Sequence, residues 1–337
     1  MSKLKLSLAC WNYDRTRALM DGSVQAEGID LNYLCLPVEE TFFRMLRNKE
    51  FDVAELSLSS YLIGLNKPER DFVAIPVFPS CAFRHSGIFV NADSGIREAK
   101  DLIGKRVGTP EYQMTAAVWI RGILAEHHGV PVDSMTYYTG GAEQAGRAEK
   151  LKLSLPPNIK VERIGPTQTL SQMLLDGEID ALYTARTPST FKTGGGKVRR
   201  LFPNYGEIER DYFRQTAIFP IMHVIVIRRQ VYEANRWIAQ SLYKAFLQAQ
   251  QLSYEDLREN VVLKTMLPWL NSNVDEVRHL MGEWQKRYLQ ATQPALFAAN
   301  HSIQRNEGAL MGTGQKLWKR AKAVIPGGNM LLSKRAE

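Results

Sequence analysis

The sequence predicts an α/β protein of two lobes, with a discontinuous first lobe and a helical C-terminal region. Three observations carry this. Strand-like and helix-like segments alternate through the first two thirds of the chain. The 337 residues exceed one comfortable core, since domains run to about 100 to 200 residues. The last third lacks strand patterns of its own.

Taken in order, alternating apolar residues predict strands at Leu4 to Ala9, Ile29 to Leu36, Phe51 to Leu58, Phe72 to Val77 and Gly87 to Asn91. Helices fall around Arg15 to Asp21 and Thr41 to Asn48, so the segment reads as βαβ units with a largely parallel sheet. A second series begins near Asp101. It has a strand at Arg106 to Thr109 and a long helix from about Gln113 to His128, with Gly129 and Pro131 as its stop signal. Strands follow at Met135 to Tyr138, Ile159 to Ile164 and Ala181 to Thr184. The helix Leu170 to Asp176 has Thr169 and Gln172 at its start and Gly177 beyond its end. After Gly194-Gly195-Gly196 comes a strand at His223 to Ile227, and from Val231 the chain reads as almost continuously helical to about His301. A lobe that is interrupted and then completed by returning chain explains this order. The expected division is 1–92 plus 202–337 for the first domain and 93–201 for the inserted one. Crossings are expected at Gly87 to Asp93 and within Leu201 to His223, with the ligand cleft between the lobes. The tail Gly327 to Glu337 reads as loose.

Composition narrows the function classes. With 45% hydrophobic and 23% charged residues, the chain is neither disordered nor fibrous. The net charge of +8 comes from Lys and Arg spread along the whole sequence. The densest basic stretches, Lys192 to Arg200 and Lys316 to Arg335, match no nucleic-acid motif, so no nucleic-acid partner is expected. An excess of positive charge suits an anionic substrate. No apolar run approaches the 18 or so residues of a membrane helix. The start alternates with Lys3, Lys5 and Ser7, unlike the continuous apolar core of a signal peptide. Cys10, Cys35 and Cys81 are odd in number and lack metal spacing, which fits a reducing compartment. A cytoplasmic protein with no membrane partner is expected. Exposed apolar helix faces in the C-terminal third would permit a homo-oligomer.

Ligand groups in such folds gather at strand C-termini and helix N-termini. Four segments qualify. In Asp52-Val-Ala-Glu55-Leu-Ser57-Leu-Ser59-Ser60-Tyr61 a strand ends in a carboxylate and hydroxyls. If Val53 faces the core, Glu55 and Ser57 share its side, and a buried carboxylate there needs a partner. Ser59 and Ser60 are equally explained as helix caps. In Ser80-Cys-Ala-Phe83-Arg84-His85-Ser86-Gly87, a fork-shaped cation adjoins a side chain that moves protons near neutral pH. A lone His is more often structural than catalytic. In Gly108-Thr109-Pro110-Glu111-Tyr112-Gln113-Met114-Thr115, exposed N–H groups at a helix start would make an anion pocket, unless Thr109 and Gln113 merely cap it. Trp119 and Arg121, further along this helix, are more simply packing residues. The fourth segment pairs Thr184-Ala-Arg186-Thr187-Pro188 with Ile218-Phe219-Pro220-Ile221-Met222-His223. Arg84 and Arg186, placed on opposite lobes, could clamp the two carboxylates of a diacid. A metal site of Glu55, His85 and His223 is the weaker alternative, and a divalent metal stays open. His127 and His128 end a helix, where positive charge is favourable. There is no Gly-x-Ser-x-Gly elbow.

The runs Phe51-Asp-Val-Ala-Glu-Leu-Ser-Leu-Ser-Ser-Tyr61, Ala82-Phe-Arg-His85, Asp101-Leu-Ile-Gly-Lys-Arg-Val-Gly-Thr-Pro-Glu-Tyr-Gln113, Val118-Trp-Ile-Arg-Gly-Ile-Leu124 and Ile218-Phe-Pro-Ile-Met-His223 resemble the 4,5-dihydroxyphthalate decarboxylase family. The likeness extends from about residue 3 to about residue 230 and more loosely to the end. Asp-Leu-x-Gly-Lys-x-Val-Gly is common to many type II periplasmic binding proteins. Pro-Glu-Tyr-Gln, Phe-Arg-His and Phe-Pro-Ile-Met-His are more distinctive. The resemblance implies a two-lobed type II periplasmic-binding-protein-like fold and non-oxidative decarboxylation of a dihydroxylated aromatic acid in phthalate degradation. No organic cofactor is expected, because the electron-rich phenol stabilises the change itself. The residues permit Glu55 or Glu111 as base and His85 or His223 as proton donor, with Arg84, Arg186, Ser57, Tyr112, Gln113 and Thr115 as substrate contacts. The opposing reading is a cytoplasmic solute-binding or sensor protein without chemistry. A menaquinone-pathway or pyrimidine-synthesis relative would share the lobes but lack the Phe-Arg-His and Phe-Pro-Ile-Met-His pair.

Overall fold

The computed structural model describes residues 2–282. Of these, 2–81 and 223–282 form one compact unit and 82–222 the other. In chain order the first unit opens with β1 (Leu4–Ala9), α1 (Arg17–Met20), β2 (Ile29–Leu34), α2 (Val38–Asn48), β3 (Val53–Ser57), α3 (Leu58–Gly64) and β4 (Phe72–Ile75). The second unit holds β5 (Ile88–Asn91), β6 (Arg106–Thr109), α4 (Thr115–His128), β7 (Thr136–Thr139), β8 (Lys160–Arg163), α5 (Leu170–Asp176), β9 (Ala181–Tyr183), α6 (Ser189–Thr193), β10 (Val198–Arg200) and α7 (Tyr205–Thr216). The chain then returns to the first unit with β11 (His223–Arg228), α8 (Arg229–Ala234), α9 (Ile238–Asp256) and α10 (Leu270–Met281).

The first sheet has the order β2-β1-β3-β11-β4, with β1 parallel to β2 and β3 and β11 antiparallel to β3 and β4. Both its faces are covered. Leu6, Leu8, Val53, Ile225 and Ile227 pack with Leu242 and Phe246 of α9, while Ala54, Leu56, Val224 and Val226 pack with Phe42 and Met45 of α2. This double burial is why β3 and β11 read as near-continuous apolar runs, and why a charged residue within them stands out.

The second sheet, β10-β5-β9-β6-β7-β8, repeats that plan with β8 added at one edge. Strand β6 is parallel to β7 and β9, and the antiparallel β5 sits between β9 and β10. Each unit thus receives its antiparallel strand just after the chain enters it, β5 after residue 82 and β11 at residue 223. This is the topology of type II periplasmic binding proteins.

Because β5 pairs within the second sheet, the units meet at 81/82 and 222/223. The divisions expected from the sequence were 92/93 and 201/202. The strand β5 and the helix α7 fall in the stretches thereby gained, and the short β10 lies just before the second of them. β10 carries Arg199 and Arg200, which read as a basic surface run until pairing with β5 makes them a strand.

Long-range structure also corrects the expected continuous helix after Val231. Residues 257–269 are not helical. Val261 and Val262 are β-branched, and Pro268 lacks the N–H a helix interior needs, so the stretch leaves Val261, Met266 and Trp269 exposed. The expected helix to His301 and the tail Gly327 to Glu337 lie partly or wholly outside the described residues. Among the described residues no helix is long and apolar enough to cross a membrane.

Candidate active site

Sheet register brings the first cluster together. Glu55 on β3 lies opposite Ile225 on β11, and Ser57 opposite His223. Side chains two residues apart share a face, so Glu55, Ser57 and His223 project on the same side, diagonally adjacent across two strands. On the other flank Ala9 pairs with Ala54, so Cys10, one residue on, falls beside Glu55. The alternation expected for Val53, Glu55 and Ser57 is present in the structure, with Val53 in the core and Glu55 wholly buried.

The Glu55 carboxylate is fully occupied. Oε1 lies 2.6 Å from Nδ1 of His223 and accepts the Tyr13 hydroxyl at 2.6 Å. Oε2 accepts the backbone N–H of Trp11 at 3.0 Å and faces the Cys10 thiol at 3.5 Å. Burial drives this carboxyl upward, but the hydrogen bond and charge of His223, helped by Tyr13 and Trp11, hold it below the usual carboxylate range. Burial, then the Glu55 charge, pushes up both the Tyr13 phenol and the Cys10 thiol, so both remain protonated donors.

An ionised carboxylate only accepts, which places a hydrogen on Nδ1 of His223. Nε2 is then the nitrogen left for exchange, and it makes no hydrogen bond among the described residues. The Phe42 ring meets the imidazole edge-on with centroids 4.9 Å apart. The His223 side chain is 16% exposed against 0% for Glu55, so the pair has one reachable member and one sealed member. An imidazole oriented by a buried carboxylate is a working arrangement for general acid-base chemistry. Ser57 closes the row, its hydroxyl 3.1 Å from that of Ser59.

In the second unit the turn after β6 carries the other buried carboxylate. Glu111 is wholly buried and accepts from Arg147 Nη2 at 2.6 Å and Nε at 3.1 Å, pairs with the Lys150 ammonium, and lies 3.4 Å from the Gln113 amide. Next to it the Tyr112 N–H donates to Glu149 at 2.6 Å. Burial, with the Glu111 charge adding to it and the Tyr112 N–H opposing, raises Glu149 to about 7. Tyr112 is buried, its ring 3.9 Å from the Arg121 guanidinium carbon and its backbone carbonyl bonded to Arg121 at 2.6 Å. Gln113 and Thr115 are buried as well, and no side chain caps α4.

His85 sits in a different setting from His223. It is buried against Tyr212, Phe202 and His128, with ring centroids 5.3, 5.9 and 6.4 Å away. Its Nδ1 has no hydrogen bond and lies 3.9 Å from Glu209. Burial, then the charges of His128 and His127, lowers its pKa to about 4, so the ring is neutral near pH 7. Arg84 is half-buried with Nε 3.0 Å from the Met222 sulfur. Arg186 is exposed, its backbone N–H donating to Thr184 Oγ1 at 3.2 Å. Both arginines belong to the second unit, which corrects their expected placement on opposite lobes. The reason is the pairing of β5 with β9, which takes the chain from residue 82 onward into the second sheet. Among the described residues no group of three or more His, Cys, Asp or Glu is arranged to hold a metal ion.

Three participants escape a search limited to the four segments: Cys10, Trp11 and Tyr13. All follow the C-terminal end of β1, a position that the rule used for Glu55 also covers.

No protein-family model matches the chain. Two curated relatives are both named 4,5-dihydroxyphthalate decarboxylase. The one from Comamonas testosteroni is 40% identical over 283 residues, 84% of this chain and 86% of the relative. The one from Pseudomonas putida is 46% identical over 214 residues, 64% of this chain and 83% of the relative. Among solved structures, the periplasmic aliphatic sulphonate binding protein SsuA from Escherichia coli aligns with a TM-score of 0.48 at 12% identity, covering 99% of this chain and 93% of its own. The desulfurization enzyme DSZB aligns with a TM-score of 0.43 at 15% identity, covering 98% and 94%.

Proposed function

The chain belongs to the 4,5-dihydroxyphthalate decarboxylase family, and from that premise we propose that it converts 4,5-dihydroxyphthalate to 3,4-dihydroxybenzoate, a step of phthalate degradation, using Glu55 and His223 for proton transfer. The observation that carries the assignment of residues is the 2.6 Å contact between a wholly buried carboxylate and a partly reachable imidazole.

The chemistry asks for one proton on a ring carbon and one broken carbon–carbon bond. A hydroxyl para to the departing carboxylate pushes electron density toward the carbon that bears it. His223, with its Nδ1 hydrogen held by Glu55, gives a proton from Nε2 to that carbon. The bond to the carboxylate then breaks, its electrons return to the ring, and carbon dioxide leaves. The imidazolium required before transfer is paired with the Glu55 carboxylate, and the Tyr13 and Trp11 donors keep that carboxylate ionised. Proton transfer of this kind supplies about 10²- to 10⁴-fold, and the remainder comes from positioning and from excluding water. His85, neutral and enclosed by rings, and Glu111, neutralised by two cations, are given no proton-transfer role here.

A cytoplasmic location fits the three free cysteines. The function is tested by incubating purified protein with 4,5-dihydroxyphthalate and following carbon dioxide and 3,4-dihydroxybenzoate by chromatography. Equimolar formation of both supports the reading; tight binding of the diacid without product would replace it with a binding protein.

A further inference from the structure

A cation stacked on Tyr13, the phenol that donates to Glu55, has no part in the scheme above. Arg15 follows β1 in the run Trp11-Asn12-Tyr13-Asp14-Arg15. Its guanidinium carbon lies 4.3 Å from the centroid of the Tyr13 ring, whose hydroxyl donates to Glu55. Nε donates to the Pro79 carbonyl at 2.6 Å and Nη1 to Asp14 at 2.9 Å. Nη2 makes no hydrogen bond among the described residues. The fork is therefore held in place by a ring and a backbone carbonyl, which lowers the cost of ordering it when a ligand arrives. Its acidic partner is weakly committed: the Asp14 side chain is 56% exposed and that of Arg15 31%. An ion pair whose carboxylate is exposed contributes little and can give way to a better-placed anion.

The proposed substrate creates the need for such a cation. It carries two carboxylates toward a site that already contains the ionised Glu55. One carboxylate leaves as carbon dioxide, and the other stays on the product. We propose that Arg15 binds the carboxylate that is retained, so that the ring is held with its departing carboxylate at His223. This rests on the reading that Glu55 and His223 form the reaction site.

The test compares two ligands that share the dihydroxylated ring: 3,4-dihydroxybenzoate, which keeps the carboxylate, and catechol, which lacks it. Binding to the full chain is followed by calorimetry for the wild type, Arg15→Gln and Arg15→Lys. Arg15→Gln is expected to weaken 3,4-dihydroxybenzoate by about ten- to a hundredfold, the worth of a charge-assisted hydrogen-bond pair, and to leave catechol unchanged. Arg15→Lys recovers part of the loss. KM for 4,5-dihydroxyphthalate rises in parallel while kcat moves much less. Equal weakening of both ligands would assign Arg15 a structural role through Tyr13 and overturn the proposal, as would unchanged binding of 3,4-dihydroxybenzoate. Selective loss of the carboxylated ligand in a protein that releases no carbon dioxide would uphold Arg15 and remove the decarboxylase reading. Normal turnover with unchanged KM in Arg15→Gln would do the reverse.

Discussion

Glu55 and Glu111 are both wholly buried carboxylates, and both stand within two residues of the C-terminal end of a central strand, Glu55 before the end of β3 and Glu111 beyond that of β6. Their partners differ in kind. Glu55 meets an imidazole, a phenol, a thiol and a backbone N–H, of which the imidazole is the side-chain type suited to passing a proton on. Glu111 meets a guanidinium and an ammonium, two cationic side chains. Burial therefore does not distinguish the carboxylate proposed to react from the one proposed to be structural. The distinction lies in whether the partner can give up a proton and whether that partner reaches solvent, as His223 does at 16% exposure.

The contrast breaks most visibly in turnover. His223→Ala is expected to lower kcat by about 10²- to 10⁴-fold, with Glu55→Gln close behind, measured as 3,4-dihydroxybenzoate formed per minute. A kcat within twofold of wild type in either variant would place the proton donor elsewhere. In the other unit the loss falls on stability. Glu111→Gln leaves Arg147 and Lys150 without their anion and should cost about 3 to 5 kcal/mol in urea unfolding, while the folded fraction keeps most of its kcat. If instead stability holds and turnover disappears, Glu111 is the reacting group and the contrast fails.

The pH dependence of stability sharpens the same comparison. Glu149 titrates at about 7 when folded, against the ordinary value of 4.5 when unfolded. Between those values the folded chain binds the extra proton, so this group's contribution to stability declines as pH rises through the window and is level above it. Glu149→Gln should therefore match wild type most closely near pH ~5 and be the more stable protein near pH ~8. Parallel unfolding midpoints at both values would mean that Glu149 is not held protonated. The smallest effect is expected from Tyr13→Phe. It removes one donor from a carboxylate that keeps three other partners and should reduce kcat by roughly tenfold with little change in KM. An unchanged kcat would make the phenol a bystander.

Much of this site is legible in the chain. Alternation in Val53-Ala-Glu55-Leu-Ser57 places the carboxylate on the core side, and Met222-His223 opens a strand whose apolar run is plain. The pairing of Glu55 with His223 is not legible, because the two are 168 residues apart and meet only through the antiparallel register of β3 and β11. Tyr13 and Arg15 lie after a strand that was readable to the residue; the segment beyond β1 carries no His, and its acidic residue Asp14 stands beside Arg15 in the chain and pairs with it. Glu111 could be found as a polar residue between strand and helix. Its cations could not, since Arg147 and Lys150 come from residues 141–158, which hold no helix or strand. The placing of Arg84 and Arg186 on separate lobes failed for a topological reason. The apolar run of β5 is equally compatible with either sheet, and only its pairing with β9 and β10 decides.

The most direct test is the rate of carbon dioxide release from 4,5-dihydroxyphthalate by the wild type and by His223→Ala, run side by side on folded protein of equal concentration. The account predicts product from the wild type and a fall of at least about a hundredfold in the variant. Equal rates in the two proteins, or no product from the wild type, would contradict it.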